Sequence, residues 1–240
     1  MNDPYVYENS RVLKNLLNIT DEKELDLAEA ELSRANMMIL YEQGFGDFSP
    51  EGLCAIHKFL FGDVYDWAGK YRIINIQKRE EVLGGVSVWY TNDVDIEKEL
   101  HSVFHEINRI HWASLSKQDF ITKLARLFPR IWQIHPFREG NTRTTVMLLT
   151  FFVERYGYYF DQELFAVSAG YVRNAFVLAS IGKHSEFEHL EKILNDAVCD
   201  TPPEQEELFE EGTTDTSAKY EKYRTKDYQP APHEYRNEEN

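Results

Sequence analysis

The chain has 240 residues, a formal net charge of −15, 42% hydrophobic residues and two cysteines. That length and apolar share support one sizeable domain with a true core, while the acidic balance excludes a general nucleic-acid binder, whose phosphates it would repel. Two distant thiols, Cys54 and Cys199, build neither a disulfide framework nor a zinc finger, and they fit a reducing compartment. The opening MNDPYVYENS shows no basic and then apolar leader. The apolar run VMLLTFFV (146–153) is too short to span a bilayer. A cytoplasmic protein is expected, with no membrane or nucleic-acid partner; export without a cleaved signal stays open.

The elements follow in chain order. DEKELDLAEAELSRANMMILYEQ (21–43) predicts a helix capped by Asp21, with Leu25, Ala28, Leu32, Ala35 and Ile39 at three- and four-residue steps. SPEGLCAIHKFLFGDVY (49–65) begins with Ser-Pro, a helix start, and sets Leu53, Ile56, Phe59 and Leu60 on one face. KYRIINIQKREEVLGGVSVWYTN (70–92) carries two β-rich runs around a Gly-Gly link and predicts a β-hairpin. Such a hairpin is marginal alone, and its free edge, along Ile73, Ile74, Asn75 and Ile76, can pair with a guest strand. Two amphipathic helices follow over 93–112 and 116–134, the second kinked or halted by Pro129. NTRTTVMLLTFFVERYG (141–157) predicts a buried helix closed by Gly157. AGYVRNAFVLAS and SEFEHLEKILNDAV close the helical body. Past about residue 199 the pattern changes. From Asp200 to Asn240 there are twelve acids, five Lys or Arg and four of the eight prolines, the composition of a disordered acidic tail.

The chemistry concentrates in HPFREGNTRTT (135–145). The loop feeds the N-terminus of the buried helix, where unpaired N–H groups and the helix dipole favour an anion. Gly140 lets the backbone turn and approach a phosphate. Arg143, in the first turn, can fork onto phosphate oxygens. Glu139 would repel phosphate unless Mg²⁺ bridges them. His135 is the loop's base near neutral pH, and Phe137 is an anchor into the core. A Mg-nucleotide site with a histidine base for phosphoryl or nucleotidyl transfer is the reading from the residues alone.

This stretch resembles the signature of the Fic family, HxFx(D/E)GNGRxxR. His135, Phe137, Glu139, Gly140, Asn141 and Arg143 match it, and VLKNLLNI, AIHKFLFGDVYDWAGKYR and SAGYVRNAFVLA resemble other Fic segments, over roughly residues 5–197. The resemblance implies a mostly α fold, a Fic-type helical domain over 1–198 with a small β-hairpin flap at 70–92 and a motif loop at 135–146. It implies transfer of AMP from ATP to a Ser, Thr or Tyr hydroxyl of a target protein, releasing pyrophosphate. In that pattern His135 deprotonates the hydroxyl and Glu139 holds Mg²⁺. Gly140 and Asn141 form an anion hole, with Thr142 beside them, and Arg143 contacts the β- or γ-phosphate. The flap clamps the target segment.

Two positions depart from the pattern. Thr142 replaces the usual Gly, and Val146 the second Arg, so ATP is expected to bind more weakly or in another pose. An inhibitory (S/T)xxxE(G/N) motif is missing: SAKYEK (217–222) comes nearest, and its Glu would lack a partner at Val146. Either a separate small antitoxin-like inhibitor regulates the protein or nothing does so in this way. Other transfers on the same scaffold, and a non-catalytic nucleotide-dependent protein-binding module, remain as further readings. His101 and His105, at i, i+4, have metal-ligand spacing but read better as a surface cluster. The tail residues Tyr220, Tyr223, Tyr228 and Tyr235 read as solubilising, with self-modification as a second possibility.

Overall fold

The computed structural model describes residues 3–203 together with Lys222 and Tyr223. In chain order its elements are α1 (Glu22–Gln43), α2 (Pro50–Phe61), α3 (Ile96–Asn108), α4 (Lys117–Ile134), α5 (Asn141–Arg155), β1 (Tyr159–Phe160), α6 (Gln162–Val167), α7 (Ala169–Leu178), α8 (Glu188–Ala197) and β2 (Val198–Cys199). The protein is mostly α, as the apolar spacing predicts. The described chain divides into two compact units. One comprises residues up to 76, 90–109 and 134–152, the other 77–89, 110–133 and the described residues from 153 onward.

In the first unit, α1 starts where the Asp21 carboxylate accepts the Glu24 N–H at 3.0 Å, satisfying an orphan donor of the first turn. It stops at Gly44, whose N–H returns to the Leu40 carbonyl. The buried face of α1 differs from the expected one: Leu25, Glu29, Ser33 and Leu40 point inward, while Ala35 and Ile39 are exposed. Two polar side chains thus occupy core positions, and their partner lies in the motif described below. Ser49 and Pro50 open α2, the Ser49 hydroxyl accepting the Gly52 N–H at 3.0 Å. From α3, Leu100, Val103, Phe104 and Ile107 are buried. His101 and His105 lie on its exposed side. Along α5, Phe151 packs near Tyr41 and Phe45, and Phe152 meets Phe48 edge-on. Each buried ring of this kind contributes about 1.5–3 kcal/mol.

In the second unit α4 continues through Pro129 instead of ending there. Phe120, Leu124, Phe128, Ile131 and Trp132 are all buried along it, and their packing offsets the ~3 kcal/mol a proline costs a helix interior. The Pro129 carbonyl accepts the Ser180 hydroxyl at 3.1 Å. Two elements escaped the sequence reading. One is α6, with Asp161 capping the Leu164 N–H at 2.9 Å. The other is the antiparallel pair β1–β2, with Tyr159 opposite Cys199 and Phe160 opposite Val198. Cys199, set with the tail by composition, therefore belongs to a strand. Tyr223 is buried rather than reachable: its hydroxyl donates to Asp196 at 2.6 Å, and its ring meets Tyr171 edge-on. Residues 204–221 and 224–240 of the expected disordered tail, including Tyr220, Tyr228 and Tyr235 and the first five residues of SAKYEK, lie outside the described residues.

The hairpin expected over 70–92 does not form a ladder. The segment holds one isolated antiparallel bridge, Glu80 to Val86, and a 3-10 turn at Glu81–Leu83. Side chains take up backbone groups that a ladder would use. The Ser87 hydroxyl accepts the Lys78 N–H at 3.2 Å, and the Arg72 guanidinium binds the carbonyls of Ile74 and Thr91. Within the second unit, Arg173 of α7 pairs with the buried Glu80 carboxylate at 2.7 and 3.0 Å and pins the 77–89 segment.

Candidate active site

All the motif residues named from the sequence fall in the first unit. His135 sits in the left-handed region at φ +50°, a conformation its β-carbon resists. Arg72 holds it there. Its Nε donates to the His135 carbonyl at 2.8 Å, its Nη2 to the Ile134 carbonyl at 3.4 Å, and its backbone N–H to the Pro136 carbonyl at 2.8 Å. These are carbonyls that the C-terminus of α4 leaves without helical donors. The same guanidinium donates to Ile74 O at 2.6 Å and to Thr91 O. One side chain, only 2% exposed, thus ties the motif loop to both feet of the 70–92 segment. Burial lowers its pKa, and the carbonyl bonds satisfy the charge. His135 itself is 2% exposed, with the Tyr90 ring stacked on its imidazole at 4.0 Å.

The loop is closed from within. Asn141 Oδ1 accepts the Phe137 N–H at 2.9 Å while its Nδ2 donates to the Phe137 carbonyl at 2.8 Å. The Asn141 side chain is therefore a loop clasp, and what it offers an anion is its backbone N–H. Phe137 is buried and stacks on His57 at 3.8 Å. Nδ1 of His57 accepts the Gly69 N–H at 2.8 Å, so Nε2 carries the hydrogen and donates to the Glu139 carbonyl at 3.0 Å. Burial, aided by the nearby Arg143 charge, holds this imidazole at about 4, well below its usual 6.5.

Gly140 has φ +79°, and a β-carbon there would lie 2.4 Å from the Phe61 ring. The glycine is thus demanded by an aromatic neighbour as well as by any phosphate. The α5 ladder begins with the Thr144 N–H on the Gly140 carbonyl at 3.1 Å, and the Thr144 hydroxyl joins it at 2.9 Å. The N–H groups of Asn141, Thr142 and Arg143 lie before that first helical bond. Glu139, half-buried, accepts the Gly140 N–H through Oε1 at 3.2 Å. Among the described residues no group of three or more His, Cys, Asp or Glu could hold a metal by itself, His101 and His105 included.

Arg143 is engaged within the protein. One Nη donates to Ser33 Oγ at 2.7 Å, the other pairs with Glu29 Oε1, and the guanidinium lies 4.7 Å over the Phe61 ring. The other Glu29 oxygen accepts the Tyr65 hydroxyl, and burial with the Glu29 charge raises the tyrosine pKa. This explains the polar face of α1. At the flap, Ile73 is 69% exposed, its N–H donates to Tyr5 Oη at 3.1 Å, and Asn75 Oδ1 accepts the Asp93 N–H at 2.9 Å. The N-terminal segment also holds the loop itself, through Asp3 and Arg138 at 2.8 and 3.0 Å.

Arg72, His57, Glu29, Ser33 and Tyr65 were not read as site residues from the sequence. His57 gave a signal, a polar ring beside Leu53, Ile56 and Leu60 on an inward helix face. Glu29 gave a weaker one, four residues past Leu25.

A model of the Fic/DOC family matches residues 47–153. The probable protein adenylyltransferase y4lH of Sinorhizobium fredii is 36% identical over 162 residues, which cover 67% of this chain and 80% of that protein. The chain belongs to the Fic/DOC family. The protein adenylyltransferase VbhT of Bartonella schoenbuchensis is 30% identical over 162 residues, but those span only 32% of that longer protein. Among solved structures, an N-terminal Fic domain from Bartonella quintana superposes with a TM-score of 0.69 at 24% identity, covering 81% of this chain and 91% of that one. BepC of Bartonella tribocorum, solved with bound AMPPNP, gives a TM-score of 0.69 at 21% identity over 81% of this chain and 95% of its own. At such identities the two structures establish the Fic fold.

Proposed function

We propose that this Fic-family chain transfers AMP from ATP to a hydroxyl of a target protein and releases pyrophosphate. The observation that carries the reading is one braced loop that presents His135 directly before the N-terminus of α5, its backbone held by Arg72 and Asn141. The names of the relatives and the nucleotide bound to BepC support it. An imidazole nitrogen of His135 takes the hydroxyl proton, and the freed oxygen attacks the α-phosphorus. The bond from that phosphorus to the bridging oxygen breaks, and its electron pair leaves with pyrophosphate. The backbone at Gly140, Asn141 and Thr142, with the α5 dipole, offsets the phosphate charge, and Arg143 is the cation of the motif's helical half. The lone carboxylate of Glu139 fits Mg²⁺ arriving on the nucleotide, because that ion takes one or two carboxylates along with phosphate oxygens. When bound, the ion neutralises phosphate charge. The Ile73–Ile76 segment, with Ile73 exposed, holds the target by backbone pairing.

The reading includes a cytoplasmic site of action, supported by Cys54 and Cys199 forming no disulfide. It also includes a separate antitoxin-like inhibitor, supported by the absence of an (S/T)xxxE(G/N) motif from the sequence. The test incubates the purified protein, Mg²⁺ and a cell lysate with ATP labelled at the α- or the γ-phosphate, alongside a His135→Ala control. Protein-bound α-label that disappears in the variant is expected. Bound γ-label would replace this reading with kinase-like transfer, and label from neither would overturn it.

A further inference from the structure

In the helical half of the motif Arg143 is the cation that faces a donor's outer phosphates, since Val146 stands at the other position and Arg138, in the loop, is paired with Asp3. Yet Arg143 is bonded to α1. Glu29 and Ser33 take its two Nη groups, and the Phe61 ring lies under its plane. The arrangement is built rather than incidental. Glu29 and Ser33 are buried on the helix face that should be apolar. The Ser33 hydroxyl donates to Ala30 O at 3.3 Å, which aims its lone pair at Arg143. Tyr65 donates to the second Glu29 oxygen, so both carboxylate oxygens are occupied. Even so, 32% of the Arg143 side chain is exposed, so the residue is not sealed from solvent.

Resting on the nucleotide reading of this loop, we infer that Glu29 determines how strongly the site distinguishes donors by phosphate number. It competes, as an internal carboxylate, for the guanidinium that an outer phosphate would use. An α-phosphate meets the helix N-terminus, which Glu29 does not touch. A β- or γ-phosphate meets a cation already neutralised by its own protein. The native site therefore grips the monophosphate end of the donor and discriminates weakly between nucleoside tri-, di- and monophosphates. Nucleoside diphosphate derivatives fall within the same class of acceptable donors.

The test is calorimetry of ATP, ADP and AMP, each with Mg²⁺, on the full chain and on Glu29→Gln. The variant keeps the shape of the side chain and removes its charge. Since a charge-assisted bond to phosphate is worth roughly tenfold or more in affinity, Glu29→Gln is expected to tighten ATP about tenfold and AMP less than about twofold. Arg143→Met added to Glu29→Gln should cancel the gain. Ser33→Ala, which loosens Arg143 without touching Glu29, should move the ATP-to-AMP ratio in the same direction by about two- to threefold. An unchanged or lower ratio in both folded single variants would overturn the inference and leave the nucleotide reading standing. Absence of binding by every nucleotide to every form would overturn both.

Discussion

The Nε of Arg72 lies 2.8 Å from the carbonyl oxygen of His135, so the candidate base is set from behind by a residue 63 positions earlier in the chain. The same fork binds Ile74 and Thr91, which couples the place of the base to the Ile73–Ile76 segment proposed to hold the target. Lysine keeps the charge but loses the fork. Arg72→Lys is therefore expected to lower AMP transfer about 10–100-fold with ATP affinity changed less than about threefold, the pattern of lost positioning. Arg72→Met leaves several buried carbonyls unsatisfied at about 1–3 kcal/mol each and should unfold at clearly lower denaturant. Native turnover from the lysine variant would remove Arg72 from the positioning of His135.

His57 gives the protein a specific acid weakness. Its folded pKa is about 4 because the imidazole is buried and neutral. The unfolded chain takes up a proton near 6.5 that the folded one refuses. A depressed folded pKa on a base means stability is complete above the unfolded value and is lost as pH falls toward the folded one. Between pH 6.5 and 4 the loss should reach about 3 kcal/mol, from 1.36 kcal/mol per unit. Urea midpoints taken across this window, for the native chain and for His57→Gln, measure it. The glutamine variant should show a visibly flatter dependence, and equal slopes would assign the acid sensitivity to other groups.

Gly140 is held to glycine twice over, by φ +79° and by the Phe61 ring at 2.4 Å from a notional β-carbon. Gly140→Ala should cost about 2–4 kcal/mol from backbone strain and overpacking together. Phe61→Leu in the same chain removes part of the ring and should recover stability but not the φ term. Thermal melts of the single and double variants check this. A Gly140→Ala protein as stable as the native one would mean that the loop relaxes away from Phe61.

The helices were legible because their apolar spacing is regular and their caps are local, as with Asp21 and Ser49. The motif was legible because its base, carboxylate and helix start fall within a few residues. What the sequence hid is what long range decides. The inward face of α1 reads as Leu25, Ala28, Leu32, Ala35 and Ile39 by hydropathy alone, but Glu29 and Ser33 are turned in to meet Arg143, which follows more than 100 residues later. The hairpin pattern of RIINI and VSVWY is real as β propensity. Its ladder is forestalled by side-chain bonds from Arg72 and Ser87. Two-residue strands such as β1 and β2 are too short for any periodicity to reveal.

Val146 stands half-buried on α5, one turn beyond Arg143, which Glu29 holds. An arginine there would supply a second cation outside that ion pair. Val146→Arg is expected to tighten ATP about tenfold and ADP less, and to leave AMP nearly unchanged. The gain should shrink as salt is raised, because exposed charges are screened within about 8–10 Å. Combined with Glu29→Gln, the two effects should add if each cation meets its own phosphate oxygens. A sum well below additive would mean that both arginines compete for one phosphate. Calorimetry at two ionic strengths separates these cases, and unchanged or weaker ATP binding by Val146→Arg would show that the donor's outer phosphates do not run along this face of α5.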